Sequence, residues 1–206
     1  MSSLSHLSGC VVLAASLSSL SAVAQTARVG APAPDFAAID SRGQAETLAQ
    51  YRGKYVVLEW HNQGCPYTRK HYVSGNMQAL QKEWTGKGVV WFTVISSAPG
   101  QQGYVTADQE NAYVAQMHAA PTAVLLDSDG KVGRLYNAKT TPQMIVIDPS
   151  GKVIYDGAID DRPTPDPADI QGADNYVNDA LTAAMAGKQV AKSFTRSYGC
   201  AVKYPD

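Results

Sequence analysis

The sequence predicts an α/β fold in which a mixed central sheet lies between helical layers, a three-layer α/β/α sandwich. Three observations predict it. Short β-branched and aromatic runs alternate with helix-length amphipathic stretches, which is the order that places helices on the faces of a sheet. The alternation closes on a strand–turn–strand signature near residues 144–157. A 45% hydrophobic share with 17% charged residues in 206 residues supplies one sizeable core, and nothing in the chain reads as a linker that would divide it.

The first 24 residues contain no Asp, Glu, Lys or Arg and pass from a Ser-rich start through Val11-Val12-Leu13-Ala14-Ala15 to Ala22-Val23-Ala24. This is an apolar run followed by a small-x-small cleavage site, so a signal peptide is expected over residues 1–24, with a mature single domain from Gln25 to residue 206. The amino-terminal region lacks the usual Lys or Arg. Cys10 precedes the apolar run, which argues against a lipid-modified cysteine. No other stretch reaches the roughly 18 apolar residues of a membrane-spanning helix. A formal charge of −1 leaves no basic excess, so nucleic acid is not an expected partner.

The prolines of VGAPAPDF (29–36) force an extended lead-in. YVVLEW (55–60) reads as a buried central strand between Gly53-Lys54 and His61-Asn62-Gln63-Gly64. Pro66 suits the first position of a helix. That helix is expected to run to about Thr85, with Tyr72, Met77, Leu80 and Trp84 on its core face and Gly75 weakening its middle. Residues 89–95 form a second strand, 107–118 a helix, 122–127 a third strand and 132–137 a short helix. Residues 144–148 and 153–157, joined by Pro149-Ser150-Gly151-Lys152, read as an antiparallel hairpin at the sheet edge. A Pro- and Asp-rich loop, an amphipathic helix over 173–186 and a tail carrying Cys200 complete the chain.

In such a layered fold, reaction sites lie beyond the carboxyl ends of the central strands, and Cys65 sits at that place, at the turn into a helix. The unpaired N–H groups and positive potential of the helix start favour a thiolate, the reactive form. The competing reading is a buried, inert cysteine, but core cysteines seldom stand between a Gly and a Pro at a strand-to-helix corner. Arg69, Lys70 and His71 crowd the first turns, where cations are disfavoured unless something anionic is near. Lys70 and His71 are expected to face solvent. Arg69, one turn from Cys65, is a candidate for the site. Asp160-Asp161-Arg162 reads as a solvated turn with a local ion pair, and His118 as an ordinary helix residue.

The segments VGAPAPDF, GKYVVLEW, CPYTRKHY and KTTPQMIVID together resemble the thioredoxin-like superfamily, and within it the peroxiredoxin-like branch of the alkyl hydroperoxide reductase and thiol-specific antioxidant family. The resemblance runs from about Val29 to the C-terminus and includes the tail Tyr198-Gly199-Cys200-Ala201-Val202-Lys203-Tyr204. It implies a thioredoxin-like fold, a cis bond before Pro142, and a substrate-contacting role for Thr141 and Pro142. Two departures stand out. Thr68 occupies the place of the second cysteine of a local dithiol, so no disulfide can form within the motif. Trp60-His61-Asn62-Gln63-Gly64 lacks the Pro and the Thr or Ser that precede a peroxidatic cysteine, so no hydroxyl is assigned to peroxide activation. Thr68 is either a donor to the Cys65 sulfur or a plain helix-start threonine.

Three functions are open. In the first, Cys65 attacks a peroxide or a disulfide, Cys200 resolves the product, and a thiol reductant restores both; no cofactor is needed. In the second, Cys65 and Cys200 form a permanent disulfide in a non-catalytic binding protein. The third is Cu(I) handling by Cys65 with His61, His71 or Cys200, although two close cysteines are lacking. An oxidising compartment, the periplasm, is the expected location.

Overall fold

The computed structural model describes residues 26–206, so the expected leader and Cys10 lie outside the described residues. A short antiparallel hairpin, β1 (Ala37–Ile39) with β2 (Ala45–Thr47), leads through a 3-10 turn, Leu48–Tyr51, into β3 (Val56–Trp60). There follow α1 (Pro66–Val73), α2 (Asn76–Gly86), β4 (Val90–Ile95), α3 (Ala107–Gln116), β5 (Ala123–Leu126) and α4 (Lys131–Leu135). The chain continues through β6 (Thr140–Thr141), β7 (Gln143–Ile147), β8 (Val153–Gly157), α5 (Tyr176–Met185) and β9 (Cys200–Ala201).

The central sheet has the order β5-β4-β3-β7-β8. Strands β3, β4 and β5 are parallel, whereas β7 and β8 add antiparallel, so the sheet is mixed as the sequence predicts. Every residue of β3 is buried because strands flank it on both edges and layers cover both faces. Side chains of β3 alternate between those layers. Val56, Leu58 and Trp60 join Phe36, Leu48, Phe92, Val132 and Tyr136 on one side, under the β1–β2 hairpin, the 3-10 turn and α4. Val57 joins Tyr72, Met77, Leu80, Trp84, Trp91 and Leu181 on the other, under α1, α2 and α5. Burying each such large side chain contributes about 1.5–3 kcal/mol.

Two differences from the sequence reading have local causes. The single helix expected over residues 66–85 is two helices, because Gly75 adopts φ +77 between α1 and α2, a conformation outside the helical region that glycine enters at little cost. The β1–β2 hairpin is unannounced, since its strands are three residues each and half exposed, too short to display a period.

After α5 the tail runs along the outer strand, with Phe194 bridged to Asp156 of β8. It then crosses the end of the sheet, pairs as β9 with β6, and finishes where the Tyr204 ring fills a notch over Gly130 and Gly133 beside α4. Among the described residues no helix is long and apolar enough to cross a membrane.

Candidate active site

The turn between β3 and α1 is built by Asn62. Its carbonyl accepts the Cys65 N–H at 3.0 Å and its side-chain Oδ1 accepts the Gly64 N–H at 2.9 Å. Cys65 is thereby fixed as the N-cap of α1 with extended backbone, and Pro66 takes the first helical position, where no N–H is required. The Cys65 sulfur has no exposed surface. It faces Thr141, whose peptide bond to Pro142 is cis as the resemblance implies, and its thiol donates to the Thr141 carbonyl at 3.1 Å.

The tail brings Cys200 to the same place. β9 pairs antiparallel with β6 so that Cys200 lies opposite Thr141, and the Thr141 hydroxyl donates to the Cys200 carbonyl at 3.4 Å. Burial by itself would push the Cys65 thiol up. The Cys200 thiol and N–H, the Thr68 N–H and the Thr141 hydroxyl around the sulfur favour its thiolate, outweigh that, and hold Cys65 below its ordinary value of 9.0. Cys200 is pushed up to about 12 by burial and by the Cys65 sulfur beside it. The pair is therefore unequal: Cys65 ionises first, with Cys200 as its proton-bearing neighbour. Both cysteines are free thiols, Cys200 with part of its surface accessible.

Thr68 contributes its backbone rather than its hydroxyl. No capping hydrogen bond reaches the neutral thiol, yet the Thr68 N–H favours the thiolate, while Thr68 Oγ1 is buried without a partner. The charged residues of α1 are reversed relative to the sequence reading. Arg69 is exposed, whereas Lys70 and His71 are completely buried. The anion that their position called for is Asp160, itself only 2% exposed and not part of a solvated turn. Lys70 Nζ donates to the Arg162 carbonyl at 2.5 Å and lies 3.8 Å from Asp160 Oδ1. His71 Nδ1 meets Asn76 Nδ2 at 2.9 Å, and His71 Nε2 lies 3.4 Å from the Tyr198 hydroxyl. Burial, reinforced by the Lys70 charge, pushes His71 down to about 3, so the imidazole is neutral. With Asn76 donating to Nδ1, the remaining proton sits on Nε2.

A second buried polar group underlies α1. Glu59, central in β3, accepts from Tyr72 Oη at 2.8 Å, Trp91 Nε1 at 2.8 Å and Gln81 Nε2 at 3.1 Å. His61 Nδ1 lies 3.8 Å from its Oε1, and Glu110 of α3 is buried nearby, its carboxyl pushed up by burial. The sequence reading passed over Glu59 and Asp160 as site neighbours. The signals present were a carboxylate inside an otherwise apolar strand and three cations at a helix start. Among the described residues no group of three or more His, Cys, Asp or Glu side chains is gathered to hold a metal ion, and His71 is committed to Asn76 and Tyr198.

The search of curated proteins gives no match. Among solved structures, an uncharacterized conserved protein from Geobacillus kaustophilus is similar at 23% identity, over 86% of this chain and 93% of its own, with a TM-score of 0.74. A hypothetical protein from Sinorhizobium meliloti is similar at 22% identity, over 88% and 97%, with a TM-score of 0.75. These likenesses establish the fold. A protein from Chlorobium tepidum described as a thiol:disulfide interchange protein, DsbE, is similar at 27% identity, over 64% of this chain and 85% of its own, with a TM-score of 0.52. The model of the AhpC/TSA family matches residues 29–156, which include Cys65, Thr141 and Pro142 and stop short of the Cys200 tail. With a thiol held at a helix start against a cis-proline, in a mixed five-stranded sheet, this chain belongs to the AhpC/TSA family.

Proposed function

We propose that the protein is an exported two-cysteine thiol oxidoreductase in which Cys65 is the nucleophile and Cys200 the resolving thiol. The observation that carries this reading is that β9 sets Cys200, from the far end of the chain, opposite Thr141, whose carbonyl accepts from the Cys65 thiol, so two free thiols share one corner. Their surroundings favour the thiolate at Cys65 over Cys200. The Cys65 thiolate attacks a peroxide oxygen, the O–O bond breaks, and an alcohol or water leaves with Cys65 as sulfenic acid. Cys200 then attacks the Cys65 sulfur, expelling water and forming the disulfide. With a disulfide substrate, Cys65 forms a mixed disulfide and Cys200 displaces the second substrate thiol. Reduction proceeds from the accessible side. An external thiolate attacks the Cys200 sulfur, the better-stabilised Cys65 thiolate leaves, and a second reductant thiol frees Cys200.

Thr141 and Pro142 form the wall that a substrate sulfur or peroxide meets at Cys65. The Thr68 N–H supports the thiolate, and Arg69, exposed and one turn from Cys65, is the cation that would meet an anionic substrate. The charge-free segment 1–24 supports export, which N-terminal sequencing of the exported protein tests; a start at Gln25 is expected, and retention of Met1 would contradict it. Turnover is tested by peroxide consumption with a dithiol reductant. Cys65→Ser is expected to abolish it, and Cys200→Ser, given one equivalent of peroxide with no reductant present, to stop with a sulfenic acid on Cys65. Equal rates for wild type and Cys65→Ser overturn the reading.

One observation favours a second reading, a permanent Cys65–Cys200 disulfide: the tail is anchored on both sides of Cys200, by Tyr198 and by Tyr204. A crosslink closing so long a loop would contribute about 4–5 kcal/mol by the chain-entropy account. A reduction potential below about −300 mV, beyond the reach of the thiol pools, would select it.

A further inference from the structure

Two residues before Cys200, the tail is fastened to the helix that begins at Cys65. The Tyr198 hydroxyl donates to Asp160 Oδ1, the same oxygen that receives the Arg162 N–H at 3.0 Å. His71 Nε2 lies 3.4 Å from that hydroxyl, and Lys70 Nζ stands 5.1 Å from the centre of the Tyr198 ring. The Tyr67 ring packs against the Tyr198 ring at 5.9 Å between centroids. Tyr67, Lys70 and His71 all belong to α1, so one tail side chain grips the nucleophile's own helix at three successive places. Between this grip and Cys200 stands only Gly199, at φ +130 and in close approach to the Thr141 carbonyl.

A buried Lys-Asp pair is weak evidence for stability, since its desolvation cost offsets its attraction, but it can fix a single arrangement. Here the arrangement fixed is that of the tail. Asp160 accepts a charge-assisted hydrogen bond, the stronger kind, and the buried cation beside it keeps the carboxylate where Tyr198 needs it. The ladder between β6 and β9 is only two residues long and would not by itself hold a tail in one place.

We infer that Tyr198, held by Asp160 against α1, is a positioning residue that sets how often the Cys200 thiol meets the Cys65 sulfur. It touches no reacting atom; it acts through the one-residue link to Cys200. This inference rests on the reading of Cys200 as the resolving thiol. Its consequence is that closure of the disulfide depends on the Tyr198 hydroxyl more steeply than the first oxidation of Cys65 does.

The test uses Tyr198→Phe, which keeps the ring against Tyr67 and Lys70 and removes only the hydroxyl, with Asp160→Asn as a second variant. The position of the Cys65–Cys200 disulfide equilibrium is measured in glutathione buffers by thiol trapping. The rate of closure after one equivalent of hydrogen peroxide is measured separately from the rate of the first oxidation. Thermal unfolding of the reduced proteins confirms that each variant folds. Tyr198→Phe is expected to lower both the equilibrium and the closure rate about tenfold, the effect of losing one hydrogen bond to a charged group, and to change the first oxidation less, only through the weaker support of the Cys65 thiolate by a displaced Cys200. Unchanged closure in a folded Tyr198→Phe overturns the inference while leaving the two-cysteine function standing. An equal fall in the first oxidation also overturns it, since that marks damage to the whole site. If the wild type itself forms no bridge, the functional reading fails and takes this inference with it.

Discussion

Substituting Gly199 by Ala should separate the tail from the site without touching either sulfur. A Cβ at this position would lie 2.0 Å from the Thr141 carbonyl oxygen and 2.7 Å from its carbon, backbone atoms with no room to yield. Ordinary contact requires more than an ångström of retreat. The φ of +130 adds strain of about 1–3 kcal/mol for a residue with a side chain. Losing the short pairing of Cys200 with Thr141 adds about 1 kcal/mol. Together these oppose the docked tail by about 2–4 kcal/mol. At about 1.4 kcal/mol per factor of ten, that is roughly 30-fold to several hundred-fold if all the strain is released when the reduced tail lifts away. The Tyr198 and Tyr204 anchors hold part of it back, so a fall of at least about tenfold in the Cys65–Cys200 equilibrium with glutathione is expected. Gly172, at φ +79 with nothing within 4 Å of its would-be Cβ, is the control; Gly172→Ala carries comparable backbone strain and should leave the equilibrium alone. A Gly199→Ala protein that closes its disulfide within about twofold of wild type would show that the docked tail does not need a glycine at this position.

Cys200→Ala removes the foremost of the donors that hold Cys65 below 9.0, so the pH profile of Cys65 alkylation should move toward higher pH, with the rate falling as pH drops through the Cys65 value and its thiolate is protonated; an unmoved profile would deny the contact. Glu59→Gln places an amide donor among the donors of Tyr72, Gln81 and Trp91 and should cost about 2–3 kcal/mol in urea unfolding, whereas a cost under about 0.5 kcal/mol would mean that the buried carboxylate is not held as described. Lys70→Met leaves Asp160 buried beside a neutral neighbour and should cost about 3 kcal/mol, again by urea unfolding, with a neutral or stabilising result counting against the ion pair.

Much of the fold was legible because its signals are local. The runs at residues 55–60 and 89–95 are apolar, β-branched and bounded by turn residues, and each is a strand of the central sheet, while the two runs within 144–157 are its hairpin, β7 and β8. Cys65 was legible for the same reason, since Gly64 before it and Pro66 after it mark a corner between strand and helix. The burial of Lys70 and His71 was not. Their partner Asp160 is about ninety positions away in a loop that reads as solvated, and a helix bearing three consecutive cations displays no local sign of which ones turn inward. Thr68 was legible as a neighbour of Cys65, but which of its donors serves the sulfur depends on backbone geometry at the helix start. The meeting of Cys65 with Cys200 was an expectation from the cysteine count and the resemblance. What brings it about is a tail threaded between Tyr198 and Tyr204 onto a two-residue strand, a long-range arrangement with no periodicity to read.

The central claim is that Cys65 and Cys200 form one redox couple. Its most direct test is non-reducing peptide mapping of the fully reduced protein before and after one equivalent of hydrogen peroxide. Free thiols are expected before, then a single linked pair of peptides joining Cys65 to Cys200 that dithiothreitol returns to the starting state. Cys65 unchanged, or driven to sulfinic acid with Cys200 still a free thiol, would contradict it.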